Sequence, residues 1–373
     1  MQSILREISL LRKSKFFDID YTNRNRYCVV TNEPNGSKTA YYFSVPIYNL
    51  KTRKAVDIKF HTKDEIIYAT GSNANITIDN NIRLENAEGS CIISLEKCAT
   101  LISDYEAVCG KERLYPTTNG VAIKNKDQES YSFSIEVNKP FLEVCANDKS
   151  FSFMTERFRP LISISCIGTI GTNENIIAPA KLSYQKITDR KYIITINSCS
   201  SFEKSTLIEV NLYENKLFQD TTVESKNPNV NNAFGSIGFI GTTTAFGEQW
   251  LYTRPDYSKM AELTDKKMVR IILHLPKLNS DAVELITSKV SDRFCSFGTT
   301  WNNKISEELS SIDLLITNHY IDLNLTSVLT DKYGRFSPSK GFILKSQKKA
   351  SCFSVIATGD NYHTPQILEI NYK

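Results

Sequence analysis

The sequence predicts an all-β protein made of two or three β-sandwich domains of the jelly-roll type, preceded by a short N-terminal helix. Short apolar runs recur roughly every 8–12 residues, separated by Asn, Gly, Asp and Pro, which is the pattern of a sandwich or barrel. The chain also contains 18 Tyr and 19 Phe, side chains that pack well on a pleated surface. Its 373 residues exceed one comfortable hydrophobic core, so we expect more than one domain.

The N-terminal segment is expected to form a short amphipathic helix, because Ile4, Ile8 and Leu11 share one face at helical spacing. Strand-like runs follow, and Asn35-Gly36 and Asn119-Gly120 can supply the positive backbone angles of tight hairpins. One interruption is expected at LEKCATLISDYEAVCG, residues 95–110, which reads as a helix ending at Gly110.

A second β stretch covers about 117–213, where the alternation is clearest in KYIITINS. Tyr192, Ile194 and Ile196 fall on one face, and the residues between them fall on the other. The resulting domain prediction is 1–20 for the helical segment, 21–116 and 117–216 for two β domains or one combined unit, and 217–373 for a final β-sandwich.

Composition argues against several classes of partner. The net charge is only +4 and no run of Lys and Arg exceeds three residues, so we expect no nucleic-acid partner. No segment has the length of uninterrupted apolar sequence that spans a membrane. The N-terminus is broken by Arg6 and Glu7 and lacks a small-residue cleavage site, so no signal peptide is predicted.

The nine cysteines are scattered and odd in number, with none of the short spacings used by zinc or redox sites. Most lie in strand-like text, and we expect buried free thiols that behave as small hydrophobic residues. This favours a reducing compartment, or a cell-surface or extracellular assembly reached by a route other than ordinary secretion. Trimming of a secreted precursor stays open as an alternative.

From about residue 217 the order of segments resembles the DNRLRE-type domain, a β-sandwich related to carbohydrate-binding modules in bacterial surface and Rhs-type wall-associated proteins. The segments that carry the resemblance are Asp220-Thr221, Arg254 to Asp256, Thr300-Trp301-Asn302, Asp322 to Thr326, and Pro365 to Tyr372. The Arg-rich strand from which the family takes its name is weak here, and a Pro follows Arg254. The resemblance implies a binding or structural role.

The residues give little support for catalysis. The four histidines, His61, His274, His319 and His363, form no recognised metal-binding pair. We expect His274 to lie on the less buried face of its strand. Cys295 and His319 could in principle form a nucleophile and its general base, but two such residue types in one chain are weak evidence for catalysis. Acidic residues are too common to identify a glycosidase.

Sugar binding uses aromatic faces beside planar polar groups. The C-terminal domain supplies these types in Trp250, Tyr252, Arg254, Trp301 and Asn302, with Asn303 beside them. The alternative interpretation is that both tryptophans belong to the hydrophobic core, which we favour for each of them.

A structural Ca²⁺ site is the only cofactor site that the residues suggest, with Asp220, Asn229 and Asp360 as candidate ligands; Asn227, Asn231 and Asn361 are of the same type. Such Asn-rich loops are more often simple turns.

Two readings of function therefore remain from the sequence, with an enzyme third. The first is a non-catalytic bacterial β-sandwich protein that binds a glycan or serves as a surface or assembly module. The second is a structural subunit that self-associates as a homo-oligomer in a filament, appendage, spore or phage-like particle. A glycoside-active enzyme is the third.

Overall fold

The structure is a computed structural model that is built almost entirely of antiparallel β strands, which confirms the all-β prediction. The residues that it describes are 4–13, 17–23, 25–47, 58–95, 97–125, 130–157, 159–171, 175–199, 205–213, 215–279, 284–308, 312–347, 352–362 and 364–373. The predicted N-terminal helix is present as α1, Ile4–Arg12, with Ile8 fully buried. A 3₁₀ helix spans Tyr257–Leu263.

The strands follow one another along the chain in two runs. The first run is β1 Asp18–Ile19, β2 Cys28–Asn32, β3 Lys38–Phe43, β4 Lys59–Lys63, β5 Ile66–Thr70, β6 Asn75–Ile78, β7 Asn81–Glu85, β8 Ser90–Ser94, β9 Thr100–Ser103, β10 Glu106–Cys109, β11 Glu112–Pro116, β12 Gly120–Asn125, β13 Ser130–Val137, β14 Glu143–Ala146, β15 Ser150–Met154, β16 Pro160–Ile170, β17 Ile176–Ala178, β18 Ala180–Lys186, β19 Lys191–Ser198 and β20 Ser205–Leu212. The second run is β21 Phe218–Glu224, β22 Ile237–Thr243, β23 Gly247–Pro255, β24 Met268–Pro276, β25 Leu285–Lys289, β26 Leu314–Ile316, β27 Tyr320–Asn324, β28 Phe342–Ser346, β29 Phe353–Ala357 and β30 Ile367–Tyr372.

The chain divides into two compact units, one inserted in the sequence of the other. The insert unit contains the described residues of Asn49–Asn215 and also Phe234–Ser236. The frame unit contains those of Ile4–Tyr48, Lys216–Ala233 and Ile237–Lys373. The chain thus crosses between units near residues 48 and 216, whereas the sequence prediction set boundaries near 20, 116 and 216. Residue 116 ends β11, which forms a hairpin with β12.

The insert unit is a sandwich of two antiparallel sheets. One sheet has the order β14-β15-β16-β20-β12-β11-β10-β9, with β17 beside β16, and the other has the order β18-β19-β13-β8-β7-β6-β5-β4. Residues from both sheets meet in one apolar core that includes Ile76, Ile123, Ile194 and Ile208, all fully or almost fully buried. In β19 the inward positions are Tyr192, Ile194 and Ile196, as their alternation predicts.

The helix predicted over residues 95–110 is wrong. The chain there forms the hairpin of β9 and β10, in which Ala107 is paired with Leu101 and is fully buried. Gly110 has a φ of +59° in the tight turn that leads from β10 to β11. The apolar spacing fits a helix locally, but alternate residues of β10, Ala107 and Cys109, are buried where β10 pairs with β11.

The frame unit is a second sandwich. Its two sheets have the orders β1-β2-β3-β30-β24-β27-β26 and β25-β28-β23-β22-β29, with β21 beside β23. Alternate residues of the seven-stranded sheet, such as Tyr42, Leu273, Leu323 and Leu368, face the core between the sheets. Those between them, such as Tyr41, lie on the opposite face, where α1 packs. That second face carries a cleft of this unit.

Two of the turn predictions have different outcomes. Gly36 adopts a φ of +79°, as expected for the hairpin between β2 and β3. Gly120 does not have a positive φ. Glycine is needed at position 120 because the neighbouring strand lies very close: a Cβ there would be 2.0 Å from the carbonyl oxygen of Val210.

The nine cysteines are all free thiols. Cys28, Cys91, Cys109 and Cys166 are buried, as predicted for small apolar residues. Burial raises the pKa of Cys91 to about 12, which makes that thiol unreactive. The prediction of burial fails for four others, which are exposed: Cys98, Cys145, Cys199 and Cys295.

Candidate functional site

A polar cleft lies on the outer face of the seven-stranded sheet in the frame unit. Its volume is about 900 Å³, which is within the usual range for small-ligand sites. The strands β3, β24, β27 and β30 form the floor, and α1 with the β2–β3 and β26–β27 turns forms the walls. The floor is polar because each of these strands alternates apolar residues toward the core with polar residues toward the cleft, among them Thr39, Tyr41, His274, Asp322, Glu369 and Asn371.

His274 lies at the centre of this floor and is only 5% exposed. Its Nδ1 is 2.8 Å from Oδ1 of Asp322, and its Nε2 is 3.4 Å from Oε2 of Glu369. Burial alone would lower the pKa of His274, but the interactions with Asp322 and Glu369 outweigh it and the net shift is upward. When it is protonated, the imidazole of His274 is held between Asp322 and Glu369, which lie on the strands on either side of β24.

The expectation that His274 occupies a less buried strand face is wrong about its burial. The residue does point away from the core, but α1 covers that face of the sheet. Tyr320, whose ring packs edge-on against His274 at 5.8 Å, donates a hydrogen bond of 2.5 Å to Glu7 of α1. The sequence contained one indication of this site: several strands with alternating apolar residues carry a polar residue at a position that faces away from the core.

A second polar contact fastens α1 to the sheet. The guanidinium of Arg12 donates to both carboxylate oxygens of Glu33, at 2.6 and 2.8 Å, and to the hydroxyl of Thr31 at 3.0 Å. Such a bidentate pair fixes orientation as well as distance. Since Arg12 and Glu33 both line the cleft, this contact sets the shape of one wall.

The rim of the cleft combines apolar and basic groups. Leu10, Val269 and Leu315 are exposed by 49%, 49% and 63%, and Arg270 and Lys13 lie beside them. Arg12 and Glu33 compensate each other, whereas Asp322 and Glu369 carry more negative charge than His274 can neutralise, and Arg270 and Lys13 of the rim offset that excess. The cleft thus offers donors, acceptors and apolar edges without a strong excess of one charge.

The structure brings together Trp250 and Trp301 of the predicted sugar-binding set. Their ring centroids are 5.0 Å apart, and both rings are half-buried beside a small apolar cluster. The ammonium of Lys304 lies 4.3 Å from the Trp301 ring and 5.2 Å from the Trp250 ring, and that of Lys345 lies 5.3 Å from the Trp250 ring. These cation–π contacts cover the faces that a sugar would stack on.

The other predicted sugar-binding residues are placed differently. Tyr252 is fully buried and donates a 2.8 Å hydrogen bond to the carbonyl of Ile305, so it is a core residue. Arg254 is 7% exposed, and burial, followed by neighbouring Arg293, lowers its pKa. Asn302 is exposed and donates to Oδ1 of Asn229 at 2.8 Å.

The candidate calcium ligands are only partly brought together. Asp220 and Asp360 are both buried in the frame unit, and the ammonium of Lys216 contacts Asp360. Asn229 lies in an exposed loop and contacts Asn302 instead. Over the residues that the structure describes, no group of three or more His, Cys, Asp and Glu side chains is arranged to hold a metal.

The remaining candidate residues for catalysis are dispersed. His61 lies in β4 of the insert unit and stacks on Tyr68. Cys295 is an exposed residue of the loop after β25, whereas His319 precedes β27 and lines the cleft. His363 lies outside the described residues.

The insert unit has a smaller groove of about 620 Å³, lined by Phe141, Leu142, Tyr184, Lys186, Arg190 and Tyr192 among others. It lies between β14 and β18, the terminal strands of the two sheets of this unit. Leu142 and Tyr184 are exposed by 55% and 49%, so the groove presents apolar surface beside two strand edges.

The sequence matches no protein-family model, and no curated protein matches it significantly. The resemblance to the DNRLRE-type domain therefore stays a prediction based on the segments quoted above. None of the helices in the described ranges is long and apolar enough to cross a membrane.

Proposed function

We propose that this protein is a non-catalytic β-sandwich binding module of a surface or assembly protein, and that it holds a glycan in the polar cleft of the frame unit. The observation that carries the proposal is the floor of that cleft, where His274 lies between Asp322 and Glu369 on an outward-facing sheet surface. A sheet face with fixed, planar polar groups presents donors and acceptors at set positions, as recognition of several hydroxyl groups requires.

The charge balance of the cleft supports a neutral, hydroxyl-rich ligand. Arg12 is paired with Glu33, and the excess negative charge of Asp322 and Glu369 over His274 is offset by Arg270 and Lys13 at the rim, so the cleft as a whole attracts neither strong anions nor strong cations. The apolar edges of Leu10, Val269 and Leu315 suit the CH-bearing face of a sugar ring. A glycan combines both properties, whereas a nucleotide or an acidic peptide would need an excess of positive charge.

The same geometry supports binding rather than hydrolysis. A glycosidase needs one carboxyl group that donates a proton and a second that acts as nucleophile or base. Asp322 and Glu369 instead both face the imidazole of His274. Their oxygens that face the histidine are therefore engaged in holding it in place.

The test is a glycan array followed by calorimetric titration of each hit against the full chain. Asn318→Ala removes an exposed amide that lines the wall of the cleft, and Arg270→Ala removes an exposed group at the rim. Each is expected to weaken binding at least several-fold, since one lost hydrogen bond contributes about 1 kcal/mol.

Two variants elsewhere provide the controls. Lys304→Ala alters the tryptophan pair of the frame unit, and Tyr184→Ser alters the groove of the insert unit; neither should change glycan affinity. Loss of binding in Lys304→Ala with full binding in Asn318→Ala would move the site to the tryptophans. An array without a hit would refute the glycan proposal.

A second candidate function is self-association as a structural subunit, and the edges of the insert unit favour it. In the described part of the chain β14 pairs only with β15, and β18 only with β19. Exposed strand edges beside exposed apolar side chains are sites of strand addition between chains. The expected occupant is a second copy of this chain.

Light scattering and electron microscopy test this second function. Wild-type protein is expected to form regular oligomers or fibres, and Leu142→Glu is expected to reduce them, because a charge at a strand edge opposes pairing. Glu143→Asp keeps the charge at the first position of β14, so it is the matched control and should assemble normally. Wild-type protein that stays monomeric at high concentration would refute self-association.

A further inference from the structure

Three ionisable side chains form a buried cluster in the frame unit. Asp220 is 2% exposed and Asp360 is 7% exposed, while the side chain of Lys216 is 12% exposed. The ammonium nitrogen of Lys216 contacts Oδ1 of Asp360. Asp220, four residues after the lysine, accepts a hydrogen bond from the backbone N–H of Gly359.

Distant segments of the chain build this cluster. Lys216 lies just before β21, Asp220 lies within β21, and Asp360 lies in the turn after β29. Gly359 allows the close approach, because a Cβ at that position would be 2.7 Å from Oδ2 of Asp220 and 2.8 Å from the Cβ of Phe218. The turn is therefore packed directly against β21, and the amine meets the carboxyl group at a fixed place.

The surroundings make the charged forms of these groups costly. Leu217 and Phe218 beside them are core residues, and removing two carboxylates and one ammonium from water is unfavourable. Burial lowers the pKa of Lys216 to about 7, with Asp220 opposing the shift. Burial also raises the pKa of Asp220 to about 6. Near neutral pH a proton can pass from the ammonium to a carboxylate, which leaves a neutral amine.

We propose that Lys216 and Asp360 condense to form an intramolecular isopeptide bond, and that Asp220 is the proton shuttle for this reaction. The site has the parts that the reaction needs: a buried amine, a carboxyl group in contact with it, and a second buried carboxyl group, Asp220, that acts on the amine and accepts a hydrogen bond from the backbone beside Asp360. The proposal is independent of the ligand held in the polar cleft.

The reaction balances without an external reagent. The lone pair of the neutral Lys216 amine forms a bond to Cγ of the protonated Asp360 carboxyl, and the C=O electron pair moves onto oxygen. Asp220 takes a proton from the nitrogen and returns it to the departing hydroxyl group. The C–O bond then breaks, one water leaves, and the product is a secondary amide with two fewer ionisable groups.

The ordinary alternative is a buried ion pair that never reacts. The chain offers a matched control for it in Lys345, whose ammonium contacts Glu307. There the carboxylate side chain is 34% exposed, so water solvates the charged forms and no condensation is expected. Lys345 should remain a free amine in the same sample.

Mass spectrometry of the purified full chain tests the proposal. The intact mass is expected to be lower than the sequence mass by one water, about 18 Da, as condensation of an amine with a carboxyl group requires. Trypsin should not cut after Lys216, and a branched species joining peptides 205–226 and 350–373 should appear. Trypsin should cut after Lys345, because that amine stays free. Full mass with separate peptides, before and after long incubation at neutral pH, would overturn the proposal.

Four variants identify the roles. Lys216→Arg and Asp360→Ala should each give the full mass and the separate peptides. Asp360→Asn should still form the bond, with ammonia as the leaving group in place of water, so it also tests whether the site stays folded. Asp220→Asn should slow or prevent the reaction, and complete linkage in Asp220→Asn at the wild-type rate would overturn the role of Asp220.

Discussion

Trp250 and Trp301 lie with their ring centroids 5.0 Å apart, and the ammonium of Lys304 lies within 5.2 Å of both rings. The indole N–H of Trp250 donates to Glu248 at 3.0 Å. The two residues that best fit a sugar platform in the sequence thus form a packed, lysine-covered pair. They are also the only two tryptophans of the chain, so tryptophan fluorescence reports specifically on the frame unit.

Trp301→Ala is expected to destabilise the frame unit by about 2 kcal/mol, because it removes a half-buried aromatic side chain and its partners. Adding Trp250→Ala should give a coupling energy of about 1 kcal/mol, which is typical of a packed aromatic pair. Urea unfolding followed by circular dichroism measures both values. Additive effects would show that the rings do not stabilise each other.

Stability of the frame unit is expected to fall as pH rises from about 6.5 upward through the raised pKa of His274. A raised pKa means that the folded state holds the proton more tightly, so the stabilisation is complete below the unfolded pKa and is lost above the folded one. Asp322, Glu369 and the ring of Tyr320 face this histidine. His274→Gln should flatten the pH profile of unfolding monitored by fluorescence; an unchanged profile would contradict this assignment.

Glycine substitutions should separate two physical requirements. Gly359→Ala places a methyl group 2.7 Å from Asp220 and should cost about 2 kcal/mol through overpacking. Gly36→Ala meets nothing within 4 Å but has a φ of +79°, so about 1 kcal/mol of backbone strain is expected. Gly298→Ala, whose nearest neighbour is 3.9 Å away and whose φ is ordinary, is the control and should be nearly neutral. Denaturant midpoints rank the three, and any other order would be inconsistent with the structure.

Preventing the proposed linkage should lower the stability of the frame unit. A cross-link between Lys216 and Asp360 closes a loop of about 144 residues, which reduces the entropy of the unfolded chain by the equivalent of about 5 kcal/mol. Lys216→Arg keeps the positive charge but cannot form the amide. Its fluorescence-detected melting temperature should therefore fall well below that of Asp360→Asn, and equal melting temperatures would argue against a covalent link.

Local pattern predicted much of the fold. The alternation of β19 placed Tyr192, Ile194 and Ile196 in the core, and the spacing of apolar residues predicted α1. The pattern failed at residues 95–110, because four-residue strands such as β9 and β10 are too short for alternation to be distinguished from helical spacing. They are strands because β9 pairs with β10 and β10 pairs with β11. The local sequence does not specify this pairing.

The polar cleft could not be predicted in the same way. His274, Asp322 and Glu369 come from β24, β27 and β30, and only strand order brings them together. The burial of His274 further depends on α1, which lies more than 250 residues earlier in the chain. The candidate calcium residues show the reverse case, since Asp220 contacts the backbone of Gly359 beside Asp360, but Asp360 is paired with Lys216.

The insertion of one unit within the other has a consequence for biosynthesis. β3 pairs with β30 along its whole length, from Lys38 with Tyr372 to Phe43 with Ile367, so the central ladder of that sheet needs the final residues of the chain. At translation rates of about 5–20 residues per second, roughly 330 further residues take about 15–65 s to emerge. The nascent β2–β3 hairpin therefore waits with an open edge while the inserted sandwich can already fold, and it is the segment that a ribosome-associated chaperone would need to protect.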